Sequence, residues 1–214
     1  PPQFEAAFRD ALESGAEAVV CVTISSKLSA TYSSAVQAAG EFEPGTVEVI
    51  DSLTTAQSLG LIVRRAAELA STGAGLAEVA DHAQDLVGRS RLLFTPVTLE
   101  YLQKGGRIGR ASALLGTVLS IKPILGVDDG EVVALDRKRT SAKARARLLE
   151  LAAEQDLEEL AVLHTGAPDI EDFRVQVSEA CGVPLERIEV VLTGPVAGTH
   201  VGPGMVGVTR IVAG

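Results

Sequence analysis

The chain has 214 residues, of which 46% are hydrophobic and only 3% aromatic, with no Trp. A formal net charge of −9 opposes broad contact with polyphosphate, and so few rings leave little for single-stranded bases to stack on. These numbers exclude a general DNA- or RNA-binding role, and the length accommodates one large domain or two small ones.

In chain order, QFEAAFRDALESG sets Phe4, Ala7, Phe8, Ala11 and Leu12 on one helical face, with Gly15 suited to the C-terminal cap. EAVVCVTI is a continuous apolar run of strand length, the pattern of a strand buried on both faces. The polar stretch SSKLSATYSSAVQAAG predicts a loop and then a helix ending near Gly40. TVEVIDS predicts a second strand, followed by helices over residues 55–71 and 76–87. This alternation favours an α/β fold with a largely parallel sheet.

The second half opens with the strand RLLFTPV and the helical piece TLEYLQKGG, which leads into RIGRASALLGTVLS. KPILGVDDGEVVAL predicts a β-hairpin, its two apolar runs flanking Asp-Asp-Gly. A helix over residues 141–154, the strand ELAVLHTG, the helix DIEDFRVQVSEAC and the strands IEVVLTG and MVGVTRIV complete the chain. The expectation is two α/β domains with largely parallel sheets. Residues 1–88 form the remainder of a first domain and 89–214 the second, with the terminal strand able to return to the domain interface.

Cys21 and Cys181 lie far apart in no CxxC spacing. Cys21 reads as a small core residue, and a reduced, cytoplasmic setting is expected. No apolar run approaches the ~18–20 residues of a membrane span, and no signal peptide is visible. The first residue is Pro1, not Met.

Three stretches carry potential chemistry. In ISSKLSATY, Ser29 stands at the expected helix N-cap, beyond the carboxyl end of a buried strand. There it either caps the helix or joins the free N–H groups in receiving a carboxylate or phosphate. Ser25 and Ser26 are weaker candidates from the same loop. GPVAGTHVGPG surrounds His200 with four glycines and two prolines, which predicts a sharply bent loop around the imidazole. LQKGGRIGR carries Lys104, Arg107 and Arg110, yet matches neither glycine-loop pattern for nucleotides and follows a helical piece rather than a strand. A structural turn with a basic edge is the better reading. DRKRT is basic within an acidic chain, at a helix start where cations are disfavoured, which leaves a docking role open. Asp128 and Asp129 read as turn formers. His164 ends a strand. No histidine pair has metal-ligand spacing, no GxSxG elbow exists, and nothing in the spacing supports a Ser29–His200–Asp51 triad.

Together TISSKLSATYSSA, VIDSLTTAQSLG, YLQKGGRIGRASALLGTVLSIKPIL, DRKRT and GTHVGPG, in this order, resemble the DegV family of bacterial fatty-acid-binding proteins over nearly the whole chain. The resemblance implies a carrier that buries an acyl chain. Such a carrier presents the carboxylate to a separate fatty acid kinase, which makes an acyl phosphate for phospholipid synthesis. It implies that Ser29 and His200 bind the carboxylate, with Ser25, Ser26, Gly198 and Thr199 as further loop contacts. It implies that Arg139, and less directly Arg107, engage the kinase. No metal or cofactor is implied besides the fatty acid, and no stable membrane insertion. Ala30 and Val201 depart from the family's usual Gly and Thr. The resemblance also implies a preceding segment with a further strand and a carboxylate-binding threonine, so the first domain is expected to be incomplete at its N-terminus. The residues leave one alternative open: a hydrolase or transferase acting on a lipid or small acyl substrate, with Ser29 as nucleophile and His200 as base.

Overall fold

The computed structural model describes residues 1–115, 121–154 and 156–214. Residues 116–120 of the KGGRIGRASALLGTVLS stretch lie outside them. In the first part, α1 (Pro2–Glu13), β1 (Val19–Thr23), α2 (Thr31–Ala39) and β2 (Val47–Asp51) precede the helix pair α3 (Ala56–Ala70) and α4 (Leu76–Arg89). Strands β1 and β2 pair parallel, Val19 opposite Val47. Phe8 of α1 packs with Ala35 and Ala38 of α2 against this pair, as the helical spacing of the aromatic residues predicts.

The remaining elements are β3 (Ser90–Thr95), α5 (Glu100–Lys104), a 3-10 turn over Gly109–Leu114, β4 (Lys122–Asp128), β5 (Glu131–Lys138), α6 (Ser141–Ala152), β6 (Leu157–His164), α7 (Ile170–Cys181), a short 3-10 turn at Leu185–Arg187, β7 (Glu189–Leu192), α8 (Pro195–Val201) and β8 (Val206–Val212). Their strands form one six-stranded sheet in the order β5-β4-β3-β8-β6-β7.

The α/β class holds, but the expectation of largely parallel sheets fails for this second sheet. Among the described residues only β6 and β7 pair parallel there; β3–β4, β3–β8, β4–β5 and β6–β8 are antiparallel. The apolar runs misled because burial on both faces does not require parallel strands; it requires cover on both faces. Neighbouring residues serve opposite faces, as a period of two demands. Leu93, Ile124, Val162 and Val208 pack with Leu148 of α6 and Phe173 of α7. Leu92, Phe94, Leu125 and Leu163 pack with Leu102 of α5 and Met205. The last strand, β8, sits in the middle of the sheet with all seven residues buried.

The hairpin forms as its sequence predicts. Asp129 (φ 48°) and Gly130 (φ 78°) both take positive φ, the type I′ geometry that suits the twist of a two-residue hairpin loop. The helices α3 and α4 pack against β2 through Ile50 and against β8 through Ile211, so one apolar cluster joins strands from both sheets.

Candidate functional site

A cavity of about 210 Å³ opens between the second sheet, the hairpin, α8 and the ends of β1 and β2. Its walls are largely apolar: Leu92 and Phe94 from β3, Leu163 from β6, Leu102 from α5, Val127 and Val132 from the hairpin, and Met205. Among the described residues, six side chains bring nitrogen or oxygen atoms to it: Ser29, Thr31, Thr55, Arg107, Thr193 and His200. Such a lining, apolar with a few placed polar groups, is the usual constitution of a small-molecule site.

Ser29 arrives through the loop after β1. That loop is tied to the hairpin turn at two points: Ser25 Oγ donates to the Gly130 carbonyl at 2.8 Å, and Lys27 Nζ lies 2.6 Å from Asp129 Oδ2. The Lys27 ammonium beside Asp129 holds that carboxyl below its ordinary range. Asp51 accepts from the Ser26 and Leu53 backbone N–H groups and so shapes the loops rather than serving a triad. The expected N-cap role of Ser29 is displaced by one residue. Helix α2 starts at Thr31 with Ala30 as its cap, and Ser29 Oγ instead receives the Thr31 N–H at 3.3 Å and pairs with Thr31 Oγ1 at 2.8 Å. Ser29 and Thr31 thus present two hydroxyls at the start of α2, on the cavity wall.

His200 arrives on a helix, not in the bent loop that its neighbours predict. Gly194 caps α8, Pro195 occupies its first turn, and Gly202 (φ 78°) ends it. This is boundary chemistry at both ends of a seven-residue helix rather than continuous bending. The loop after α8 is anchored by Thr165, whose Oγ1 donates to the Gly202 carbonyl at 2.6 Å and receives the Met205 N–H at 3.0 Å. His200 Nδ1 and Thr193 Oγ1 are fully buried without a hydrogen-bond partner among the described residues. Buried polar atoms are normally paired, so the Thr193 hydroxyl on the cavity wall marks a place where a ligand's polar atom fits, while the His200 Nδ1 orphan lies against Gly105.

Arg107 links the two sides. Its Nε donates to the Leu28 carbonyl at 3.3 Å and its guanidinium to the Gly105 carbonyl at 2.9 Å, and the side chain itself lines the cavity. The structure therefore brings Ser29, Arg107 and His200, from three separate motifs, to one cavity. The other expected contacts lie apart from its lining. Ser25 is buried in its bond to the hairpin, Ser26 is exposed, Gly198 lies within α8, and Thr199 Oγ1 donates back to the Pro195 carbonyl. His164 Nδ1 accepts the Ala167 N–H, a structural use at the end of β6. Arg139 is exposed between β5 and α6, and no hydrogen bond or ion pair holds it among the described residues. Its neighbours are engaged: Asp136 gathers Lys138 and Arg147, which keep its carboxyl below the ordinary range, while Thr140 caps α6.

Thr31, Thr55 and Thr193 are the polar lining residues that sequence reasoning passed over. Thr55 and Thr193 follow the carboxyl end of a strand, β2 or β7, and the rule that drew attention to Ser29 applied equally to them.

The family model described as "Uncharacterised protein, DegV family" matches residues 1–212. The chain belongs to the DegV family. A DegV domain-containing protein of Streptomyces coelicolor is 37% identical over 211 residues, covering 97% of this chain and 75% of its own. One of Deinococcus radiodurans is 39% identical over 214 residues, covering 97% and 74%. Among solved structures, a DegV family protein from Thermus thermophilus, described for its fatty acid binding, superposes with a TM-score of 0.91 at 37% identity, covering 100% of this chain and 77% of that one. DegV from Bacillus subtilis, described as a fatty acid binding protein, gives 0.81 at 28% identity, covering 99% and 76%.

Proposed function

We propose that this DegV chain binds a fatty acid, its acyl tail in the apolar cavity and its carboxylate held by Ser29 and His200. It then presents the carboxylate to a separate fatty acid kinase. The observation that carries this reading is the cavity itself: apolar along its walls, with hydroxyl, guanidinium and imidazole groups contributed by three distant motifs. Taking a carboxylate out of water without partners is costly, and these groups supply donors. The relatives described as fatty acid binding proteins support the same ligand class.

The serine-enzyme alternative lacks its central contact. Ser29 Oγ pairs with Thr31 Oγ1, and neither nitrogen of His200 has a hydrogen-bond partner among the described residues, so no serine–imidazole pair is assembled. Arg139, exposed and unengaged, is the proposed kinase contact, in keeping with the enrichment of Arg at binding hot spots.

The test has two parts. Mass spectrometry of lipid extracted from the purified protein is expected to find an intact fatty acid. Titration with a fluorescent fatty acid is expected to show Ser29→Ala and His200→Ala each weakened about 10- to 100-fold, the loss of one hydrogen bond to a charged group. Unchanged affinity in both variants would remove the two residues from the site. Arg139→Ala is expected to bind lipid as the wild type does but to slow acyl phosphate formation by the kinase. A wild-type rate with that variant as carrier would end the docking role.

A further inference from the structure

We infer that Gly105 is a positioning residue for His200: the side chain missing at position 105 is the space that the imidazole occupies. The inference rests on the reading of His200 as a carboxylate donor and adds the element that aims it.

The backbone at Gly105 does not call for glycine. Its φ of −75° and ψ of −11° are ordinary right-handed helical values, open to any residue. What calls for glycine is the neighbour. A Cβ on Gly105 would fall well under 3.0 Å from His200 Nδ1 and 3.2 Å from Cε1. The end of α5 cannot easily retreat, because Gly105 N–H donates to the Tyr101 carbonyl at 2.8 Å, and the same Cβ would already stand 3.1 Å from that oxygen. Helix α8 is held from the other direction: a Cβ on Gly202 would fall well under 3.0 Å from the Tyr101 ring. The two motifs therefore close on each other reciprocally, each laying a ring on the other's glycine. Under this constraint a methyl group at 105 is relieved by turning the imidazole. With Nδ1 buried against Gly105, Nε2 is the nitrogen left for a ligand, and a turned ring takes it out of line.

The experiment compares Gly105→Ala, Gly106→Ala, His200→Ala and the Gly105→Ala/His200→Ala double variant. Palmitate and 1-hexadecanol serve as ligands in displacement titrations, with thermal melts alongside. The alcohol has the same tail without the carboxylate. Gly105→Ala is expected to weaken palmitate about tenfold or more, as loss of one charge-assisted hydrogen bond does, with hexadecanol affinity unchanged. Added to His200→Ala it is expected to cost nothing further, because the two changes remove one interaction. Gly106 has φ +67° and no atom near its Cβ position, so Gly106→Ala is expected to lower the melting temperature and leave palmitate affinity intact. Imidazole resonances of His200 are expected to shift in the ligand-free Gly105→Ala protein and not in Gly106→Ala, a readout independent of ligand. Wild-type palmitate affinity in Gly105→Ala, equal loss for acid and alcohol, or full additivity with His200→Ala would each overturn the inference. If His200→Ala itself binds palmitate normally, the carboxylate reading falls and this inference with it. If only Gly105→Ala binds normally, the inference alone falls.

Discussion

A buried hydroxyl without a partner is a small liability, and Thr193 Oγ1, unpartnered among the described residues, is one on the cavity wall. Replacing it with the isosteric Val removes the polar atom and keeps the shape. Thr193→Val is therefore expected to leave the ligand-free protein as stable as wild type or up to about 1 kcal/mol more stable, since an unsatisfied buried group costs about 1–3 kcal/mol. A loss of stability in denaturant titration would mean that the hydroxyl is satisfied by water and would refute the argument. Ser29 and His200 stood out by type and neighbourhood, and both reach the cavity. Thr55 and Thr193 did not, because a threonine at a strand end looks like any other until the strands are assembled around one space. The orphaned nitrogen of His200 was equally invisible, since burial is a property of neighbours and not of the residue.

At the level of elements, the loop after β1 and the β4–β5 hairpin form one mechanical unit, pinned by the Ser25–Gly130 hydrogen bond. Gly130 has φ +78°, and a Cβ there would fall well under 3.0 Å from Ser25 Oγ. Gly130→Ala thus meets strain and collision together. Left-handed backbone costs a side-chain-bearing residue about 1–2 kcal/mol, which for a chain of this size lowers the melting temperature by about 2–8 °C. Looser fatty-acid binding is expected with it, because the same loop carries Ser29. An unchanged melting temperature would refute the coupling. The hairpin was legible from Asp-Asp-Gly between apolar runs, since turn chemistry is local. Helix α8 was not. Its Pro and Gly residues mark the two boundaries of a short helix, and over seven residues those signals run together into what reads as a loop. Strand direction in the second sheet was hidden for a related reason: an apolar run reports cover on both faces and carries no sign of which way the neighbour runs.

Across the whole molecule, charged side chains tie α3 and α4 to the second sheet. Arg64 pairs with Glu159 and Glu189, Arg65 with Glu158, and Arg89 bridges Asp85 and Glu158 while donating to the Val212 carbonyl at 3.0 Å. The Arg89 hydrogen bond, chiefly, holds the Glu158 carboxyl below its ordinary range. A folded pKa below the unfolded one gives stability that is complete above the unfolded value, about 4.3 for Glu, and that disappears as pH falls through the folded value. Glu158→Gln is therefore expected to cost up to about 1 kcal/mol at pH 7, in the range of partly exposed pairs. The gap from wild type should close in strong acid. Urea titrations at both pH values decide it; a gap that persists in acid would mean that the glutamine is destabilising for another reason. None of these long-range pairs was legible in the sequence, because each joins residues whose proximity is a product of the fold.

The place of β8 has a consequence for how the molecule comes into being. Ser90 of β3 pairs with Ile211, and Leu157 of β6 pairs with Val212, so β8, synthesised after both, separates and joins two halves made earlier. Until it emerges, β3 and β6 each present an open row of backbone donors and acceptors and half of an apolar face. Pairing over such sequence distances is slow, and bare strand edges invite other chains. The nascent protein thus passes through a stage in which the hairpin side and the β6–β7 side are built but unjoined. The floor of the cavity, Phe94 and Leu163 on β3 and β6 with Met205 beside them, does not exist until that stage ends. A ligand that needs this floor binds only after β8 has taken its place between β3 and β6.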